Sequence, residues 1–261
     1  MQVAITGAAH GIGAATARKL AEQGARIVAF DIEEPAVRVD EWIAVDMTDP
    51  AAIVAAASKV EGPFDALVNC AGLPPRPGLE VKILALNAFG LIAMTEALLP
   101  RLADGASIVS VASKAGARWR ENIDQVKRLL ALPGVDALSA FVEREEIDPV
   151  CAYDLSKEAV IAWSIGQVER FLERDLRINT VSPAAVETRI LDDFVSAFGT
   201  RATTMMARTK RSGRPDDVAE VIAFLTGPQS YWIKGADVPV DGGSTALAAA
   251  DALWLAAPMQ S

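Results

Sequence analysis

The alternation of short apolar runs with longer helix-like stretches most restricts the fold of this 261-residue chain. The runs are apolar on both faces, as in a parallel sheet covered by helices on both sides. The repeated strand–helix–strand order predicts a doubly wound α/β fold, and the lack of an internal repeat or linker predicts one domain over 1–261. The expected strands span 3–6, 26–30, 42–45, 66–69, 107–111, 177–181 and 236–240, and the expected helices 11–23, 50–60, 82–102, 152–174 and 215–225.

The first predicted strand leads into a glycine-rich turn, TGAAHGIG from Thr6 to Gly13, and then into a helix. Such a turn lets the backbone approach a pyrophosphate, whose charge meets the helix N-terminus. The second strand ends at Asp31, where a carboxylate accepts hydrogen bonds from both hydroxyls of an adenosine ribose and repels a 2′-phosphate. The next three residues, Ile-Glu-Glu, include no arginine for such a phosphate. We therefore expect a Rossmann-like domain that prefers NAD to NADP.

His10 is the only histidine of the chain and lies inside this turn. One histidine cannot form a histidine metal site, so we interpret it as loop structure with some cofactor contact and expect no metal site. The two cysteines, Cys70 and Cys151, show neither metal spacing nor a disulfide framework. Their surroundings of apolar or small residues predict buried, reduced thiols.

The charge of the chain restricts its partners. Lys and Arg number 25 against 34 Asp and Glu, a formal charge of −9, which argues against binding to a phosphate backbone or an anionic membrane. The first residues enter a strand-like run without a basic region, so no signal peptide is expected. By this interpretation of the sequence no apolar run reaches transmembrane length, and we therefore expect a cytoplasmic protein with no nucleic-acid or membrane partner.

Tyr153, one of only two tyrosines, stands four residues before Lys157. This spacing places both side chains on one face of a helix. A chance surface pair would explain it, but so would catalysis, because an ammonium close to a phenol favours the phenolate and creates a base. The remaining motifs favour the catalytic interpretation.

Taken in order, these motifs resemble those of the short-chain dehydrogenase/reductase family over nearly the whole chain. The resemblance includes the glycine turn, Asn69-Cys70-Ala71-Gly72, the loop 183–188 and the strand end 240–243. Cys70 and Ala184 depart from the family pattern without removing a reacting group. The resemblance implies an NAD site formed by Gly7, His10, Gly11, Ile12, Gly13, Asp31, Ile32, Asp46, Met47, Asn69, Ala71, Gly72, Tyr153, Lys157, Pro183, Ala185, Val186 and Thr188.

The resemblance also implies the catalytic residues, which are Asn87, Ser113, Tyr153 and Lys157. Tyr153 would exchange a proton with the substrate, Lys157 would lower the tyrosine pKa and hold the nicotinamide ribose, and Ser113 would bind the substrate oxygen. Asn87 would hold a water that relays the proton to solvent. A buried asparagine bonded to backbone remains the alternative for Asn87.

Two long segments interrupt the strand–helix rhythm, at 118–149 and 189–213. The first contains apolar residues at helical spacing around a Leu-Pro-Gly break, which predicts two short amphipathic helices. They either pack on the domain surface or form a wall of the substrate cleft. The long insertion resembles the branch with bacterial 3α-hydroxysteroid dehydrogenase/carbonyl reductases and coniferyl alcohol dehydrogenases, and implies a homodimer rather than a helix-paired tetramer, which stays possible.

The second segment is expected to be a lid over a small hydrophobic alcohol or carbonyl substrate, aryl, allylic or alicyclic. Methionines suit a surface that adapts to a ligand. A non-catalytic NAD-binding scaffold on the same fold is the competing hypothesis, but such a protein should have lost the serine, tyrosine or lysine. The candidate pocket residues, which suggest an apolar ligand but fit ordinary packing of the lid equally well, are Trp119, Leu191, Phe194, Met205 and Met206.

Overall fold

Seven parallel strands form one sheet in the computed structural model, which describes residues 1–255. Each predicted run becomes a strand, so the predicted α/β class is confirmed. The clearest difference is that the fifth strand begins at Leu102 rather than at residue 107. The strands are β1 (Gln2–Thr6), β2 (Arg26–Asp31), β3 (Glu41–Ala44), β4 (Phe64–Asn69), β5 (Leu102–Val111), β6 (Arg177–Pro183) and β7 (Asp237–Val240).

The spatial order of the strands is β3-β2-β1-β4-β5-β6-β7. The direction of winding reverses between β1 and β4, where Thr6 pairs with Asn69. A crevice forms at the carboxyl ends of strands at such a switch point, and ligands of doubly wound folds bind there. The fold is therefore the single Rossmann-like domain that the sequence predicted.

Helices cover both faces of the sheet. Several predicted helices are divided in the structure: the one predicted over 152–174 ends at Gly166, and a short second helix follows it. The helices are α1 (Gly11–Glu22), α2 (Pro50–Ser58), α3 (Glu80–Leu84), α4 (Leu91–Leu98), α5 (Ile123–Leu130), α6 (Leu138–Arg144), α7 (Pro149–Gly166), α8 (Val168–Leu172), α9 (Leu191–Thr209), α10 (Pro215–Thr226) and α11 (Ser244–Ala252).

The core consists of separate apolar clusters on the two faces. Alternate residues of β1, Ala4 on one side and Val3 and Ile5 on the other, belong to different clusters. α1 and α10 cover one face, where their contact with each other is extensive. Burial of alternate strand residues on both faces explains why these runs are continuously apolar.

The segment Glu80–Arg101 corrects one expectation from the sequence. It is long and apolar enough to cross a membrane, with a mean hydropathy of 1.7. It consists of α3, a π-helical turn (Ala85–Gly90), α4 and a short 3₁₀ turn. Its residues Met94 and Leu98 are fully buried in the core cluster that contains β4 and β5. The apolar character of this segment is thus explained by packing inside the protein.

The insertion 118–149 contains the two short helices that the sequence predicted, α5 and α6. Their apolar residues Val126, Leu129, Leu138 and Phe141 are fully buried. They pack against α3 and α7 in a cluster that also contains Tyr153. The insertion therefore covers the outer surface of these two helices. Cys151, at the start of α7, is a half-buried free thiol rather than a fully buried one.

Candidate active site

A cavity of about 1150 Å³ opens at the carboxyl ends of the strands around the switch point. Its volume exceeds that of a typical small-molecule pocket, about 300–1,000 Å³. The glycine turn, Asp31, Ser113, Tyr153 and Lys157 all line it. The cavity therefore brings the predicted nucleotide site and the predicted catalytic side chains into one space.

The glycine turn packs so closely that side chains would not fit. A Cβ on Gly7 would lie 2.6 Å from the amide nitrogen of Ala71, and one on Gly13 would lie 1.9 Å from the carbonyl oxygen of Gly7. Gly7 and Gly11 also adopt positive φ angles of 70° and 54°, a region open to glycine. The side chain of the N-cap residue, His10, does not cap the first turn of α1. Free amide groups at a helix N-terminus are suited to bind an anion.

Two backbone amides, one in the glycine turn and one just after β2, hold the carboxylate of Asp31 at the end of β2. Its Oδ2 accepts a hydrogen bond from the amide of Ala9 (2.8 Å), and its Oδ1 accepts one from the amide of Glu33 (3.1 Å). Both bonds fix the carboxylate at the cavity wall, where Ile32 and His10 also lie. The Nε2 of His10 is 2.7 Å from a carboxylate oxygen of Glu33, so this histidine belongs to the loop structure.

Asp46 and Met47 line the cavity beyond the end of β3. The Oδ1 of Asp46 accepts hydrogen bonds from the amide and the hydroxyl of Thr48, both at 2.8 Å. Met47 is buried, and a Cβ on Gly90 would lie 2.1 Å from its carbonyl oxygen. The close contact with the π-helical turn fixes this loop beside the cavity.

Asn69 requires a correction, because the structure does not place it on the cavity wall. Its Nδ2 donates to the hydroxyls of Thr95 (3.1 Å) and Ser110 (3.3 Å), and its side chain is buried between β4 and β5. Among the described residues its Oδ1 has no hydrogen-bond partner. Asn69 therefore links two strands and a helix, and we assign it no cofactor contact.

Cys70 and the two residues after it, Ala71 and Gly72, line the cavity. The amides of Cys70 and Ala71 donate to the hydroxyl of Thr6, at 3.1 and 3.2 Å, which joins the ends of β1 and β4. Burial raises the pKa of the Cys70 thiol to about 12. Although the residue is only half-buried overall, its thiol is protonated at neutral pH.

Ser113 and Tyr153 meet inside the cavity, although 40 residues separate them in the chain. Ser113 follows β5, and its Oγ accepts a hydrogen bond from the amide of Ala115 (3.1 Å). Burial raises the pKa of the Tyr153 phenol above its ordinary value, whereas its hydrogen bond with Ser113 lowers that pKa by a smaller amount. The two hydroxyls thus form the pair that the sequence predicted.

The electrostatics that the sequence predicted for Tyr153 and Lys157 differ from those in the structure. It lies on the same face of α7 as Tyr153, with its Nζ 5.8 Å from the centre of the tyrosine ring. The Nζ donates to the carbonyl oxygen of Val111 at 2.9 Å. Burial lowers the pKa of Lys157 to about 8. Burial is the main cause of the Tyr153 shift, so the pKa of Tyr153 is raised rather than lowered as the sequence predicted.

Asn87 does not line the cavity, and its side chain is fully paired with protein groups. Its Oδ1 accepts from the amide of Leu73 (2.8 Å), while its Nδ2 donates to the Leu73 carbonyl (3.1 Å) and the Ser156 hydroxyl (3.2 Å). These bonds support the alternative of a buried asparagine that holds backbone. The side chain of Asn87 therefore positions the loop after β4.

The loop 183–188 extends the cavity wall from the end of β6. Pro183, Ala185, Val186 and Thr188 all line the cavity. The carbonyl oxygen of Ala185 accepts from the amide of Gly213 at 2.9 Å, so the C-terminal end of the lid segment meets the loop that precedes the lid. A Cβ on Gly11 would lie 3.1 Å from Cγ2 of Thr188, which places this loop against the glycine turn.

The predicted lid, 189–213, contains one kinked helix, α9. Gly199 interrupts its helical geometry with φ 54° and ψ −133°. Phe194 and Phe198 line the cavity and stack on each other, and their rings meet Tyr153 edge-on at 5.1 and 6.4 Å. Met205 and Met206 also line the cavity. This apolar wall thus contacts the ring of Tyr153 through its two phenylalanines.

Two predicted pocket residues lie elsewhere, and the insertion does not reach this cavity. The described lining residues include neither Leu191 nor Trp119. Trp119 instead lines a separate cavity of about 270 Å³, and the guanidinium of Arg120 lies 4.3 Å from its ring centre. None of the described residues in 118–149 lines the main cavity. This arrangement favours the alternative in which the insertion packs on the domain surface behind Tyr153.

Comparisons with known proteins agree with this geometry. The family described as short chain dehydrogenase matches residues 1–123, and the family described as Enoyl-(Acyl carrier protein) reductase matches residues 137–245. Coniferyl-alcohol dehydrogenase from Pseudomonas sp. (strain HR199 / DSM 7063) is 36% identical over 93% of this chain and 95% of its own length. The chain belongs to the short-chain dehydrogenase/reductase family.

Other members of the short-chain dehydrogenase/reductase family are similar as well. The 3-alpha-hydroxysteroid dehydrogenase/carbonyl reductase of Comamonas testosteroni is 32% identical over 94% of this chain and 96% of its own. A crystal structure of the 3-alpha-hydroxysteroid dehydrogenase from Pseudomonas sp. B-0831, complexed with NADH, superimposes with a TM-score of 0.81. That protein is 32% identical and covers 96% of this chain and 99% of its own.

Sequence reasoning missed several charged residues of this short-chain dehydrogenase/reductase cavity. Arg76 lines it and forms an ion pair with Asp193, and Arg189 lines it beside Glu33. The position of Arg76, in the loop after a strand at the switch point, could have identified it. Within residues 1–255, no group of three or more His, Cys, Asp or Glu side chains could hold a metal ion.

Proposed function

We propose that this protein is an NAD(H)-dependent oxidoreductase that interconverts a hydrophobic alcohol and its carbonyl compound. Ser113, Tyr153 and Lys157 converge in one cavity. The same cavity contains the glycine turn and Asp31, and this convergence supports the proposal. A proton-exchanging phenol beside a nucleotide site is what alcohol oxidation and carbonyl reduction require.

The chain's own residues fit NAD. The amides at the start of α1 are not capped by the side chain of His10, and they suit the diphosphate. Asp31 is fixed by two backbone amides, and its remaining lone pairs suit the hydroxyls of the adenosine ribose. A similar protein, the Pseudomonas sp. B-0831 enzyme, was crystallised with NADH. These features support NAD as the cofactor and disfavour NADP.

Bound NAD supplies the hydride acceptor in alcohol oxidation. Ser113 holds the substrate oxygen by a hydrogen bond, and its hydrogen bond to Tyr153 favours loss of the phenol proton. The Tyr153 phenolate, a minor form in the free protein because burial raises the phenol pKa, removes the substrate hydroxyl proton. Lys157, with its pKa lowered to about 8 by burial, exchanges protons near neutral pH and lies one helical turn from Tyr153. In carbonyl reduction the same groups act in the opposite direction. Asn87 keeps the loop after β4 in place through Leu73.

The apolar side chains of the lid favour a hydrophobic substrate. Phe194, Phe198, Met205 and Met206 line the cavity, two of them in contact with the ring of Tyr153. Aryl, allylic and alicyclic alcohols fit such a wall, because their apolar parts leave water on binding. The relatives' names, coniferyl-alcohol dehydrogenase and 3-alpha-hydroxysteroid dehydrogenase, support the same classes.

A cytoplasmic homodimer completes the proposal. Helices α5 and α6 of the insertion cover α3 and α7, so tetramers that pair these helices are disfavoured. Sedimentation velocity over a range of concentrations tests this, and a tetramer that persists at every concentration would contradict it.

The activity test is the absorbance of NADH with a panel of aryl, allylic and alicyclic alcohols, each with NAD and with NADP. We expect turnover with NAD and a higher kcat/KM for NAD than for NADP. Asp31→Ala should narrow that difference, because it removes both the ribose hydrogen bonds and the repulsion of a 2′-phosphate. Tight NAD binding without turnover of any alcohol would support the scaffold hypothesis instead.

A further inference from the structure

Three charged or ionisable side chains from separate parts of the chain meet beside Asp31. Glu33, in the loop after β2, accepts a hydrogen bond from His10 of the glycine turn at 2.7 Å. The same carboxylate oxygen, Oε2, lies 3.7 Å from a guanidinium nitrogen of Arg189, the first residue of the lid. We call these three residues the ribose-side cluster.

The ribose-side cluster is part of the cavity wall. His10, Glu33 and Arg189 all line the cavity, together with Asp31 and Ile32. The cluster is linked directly to Asp31, whose Oδ1 accepts from the Glu33 amide at 3.1 Å. Its charges therefore act on the position where Asp31 would receive the adenosine ribose.

Arg189 alone would make this wall suitable for a phosphate. A guanidinium binds phosphate oxygens in a bidentate manner, and a neighbouring imidazole could donate a further hydrogen bond. Glu33 prevents this by binding both groups. The hydrogen bond from His10 and the charge of Arg189 hold the pKa of the Glu33 carboxyl below its usual range, so it is ionised at neutral pH.

We propose that Glu33 is a second determinant of cofactor specificity, which neutralises Arg189 and occupies His10 so that neither binds a 2′-phosphate. Asp31 repels that phosphate directly, whereas Glu33 withholds the cation that would offset the repulsion. The inference rests on the proposed NAD-dependent function, since it concerns the adenosine end of the same cavity.

The exposure of the cluster determines how the effect should be measured. The side chains of Glu33 and Arg189 are 58% and 65% exposed, so salt screens their interaction. Titrations are therefore made at low ionic strength and repeated at high salt, where the expected differences shrink. Glu34 provides a matched control, because it is the adjacent exposed glutamate and is not among the cavity-lining residues described.

The experiment measures binding of two adenosine probes, 5′-AMP and adenosine 2′,5′-bisphosphate, by isothermal titration calorimetry without turnover. Glu33→Gln should strengthen binding of the bisphosphate by about tenfold, the order expected for removing one charge near a phosphate, and change 5′-AMP binding far less. Glu34→Gln should leave the ratio of the two dissociation constants near its wild-type value. Adding Arg189→Gln to Glu33→Gln should abolish the gain.

Three results would overturn the inference. They are an unchanged ratio of dissociation constants in Glu33→Gln, an equal change in Glu34→Gln, and a gain that survives the loss of Arg189. The first result would leave Asp31 as the determinant of cofactor specificity. The second would indicate a general effect of surface charge on phosphate binding, and the third would indicate that a cation other than Arg189 binds the 2′-phosphate. A wild-type protein that binds neither probe contradicts the proposed function itself, whereas one that binds 5′-AMP but shows no Glu33 effect contradicts only this inference.

Discussion

Arg76 and Asp193 form a bidentate ion pair that joins the loop after β4 to the first turn of α9. The Nε and Nη2 of Arg76 donate to the two carboxylate oxygens of Asp193 at 2.8 and 2.7 Å. The pKa of the Asp193 carboxyl is lowered chiefly by this hydrogen bond. The pair joins the end of the lid that carries Phe194 to the loop after β4, which forms part of the cavity wall.

We predict that 189–213 is mobile without ligand and becomes ordered when NAD and substrate are both bound, because lids of this kind close over substrate. Arg76→Gln should increase hydrogen exchange in the first half of α9 further, since it removes the bidentate pair. Hydrogen exchange on the free protein and on a ternary complex with a non-reacting analogue measures both effects.

The matched control is Arg208→Gln, which removes an ion pair with Asp251 at the opposite end of the same helix. It should raise exchange near α11 rather than near Phe194. Exchanging the charges, with Arg76→Asp and Asp193→Arg together, should restore part of the protection. Strong protection of 189–213 in the free protein that ligands leave unchanged would contradict the lid hypothesis.

Tyr153→Phe should abolish turnover while NAD still binds. Phenylalanine keeps the ring that contacts Phe194 and Phe198 and deletes only the hydroxyl that exchanges the proton. Steady-state kinetics and a calorimetric NAD titration on the same sample test this. If the variant kept more than a small fraction of the wild-type kcat, Tyr153 would not be the base.

Lys157 should destabilise the free protein at neutral pH, and Lys157→Met should relieve this. Its folded pKa of about 8 lies below the ordinary lysine value of 10.5. The unfolded chain therefore binds the proton more tightly than the folded protein does. This lowers the free energy of unfolding by about 3 kcal/mol, and the loss is fully present below pH 8. The variant also loses the hydrogen bond to Val111, which this figure does not include.

The sign of the pH dependence follows from the same two values. As pH rises from 8 to 10.5, the unfolded lysine also loses its proton, so the penalty disappears. Urea unfolding of Lys157→Met and wild type without cofactor should show the variant more stable at pH 7, with the difference shrinking by pH 9.5. A difference independent of pH would place its origin in packing.

Asn87→Ala should lower the free energy of unfolding by about 2–4 kcal/mol, because it leaves the amide and carbonyl of Leu73 without their side-chain partner. Urea denaturation measures the loss. Ser58→Ala, which removes an exposed hydrogen bond to the carbonyl oxygen of Ala55, serves as the control and should have a smaller effect. An Asn87 variant with wild-type stability would reopen the proton-relay hypothesis.

The sequence alone determined the order of strands and helices, the glycine turn and the Tyr153–Lys157 pair. These features depend on local spacing: alternation along a strand, glycine where the backbone must turn, and a four-residue step along a helix. The helices of the insertion were also predictable, since Val126, Leu129, Leu138 and Phe141 follow helical spacing.

The tertiary structure decided which of these residues face the cavity and how they are charged. Asn69 and Asn87 occur in cavity-type motifs, but their side chains turn to neighbouring strands and backbone. The pKa values of Tyr153 and Lys157 depend on burial, which the spacing of the pair does not reveal. Likewise, the contact of Glu33 with Arg189 joins residues distant in the chain. Only the folded arrangement brings such charges together, because local sequence patterns carry no information on long-range contacts.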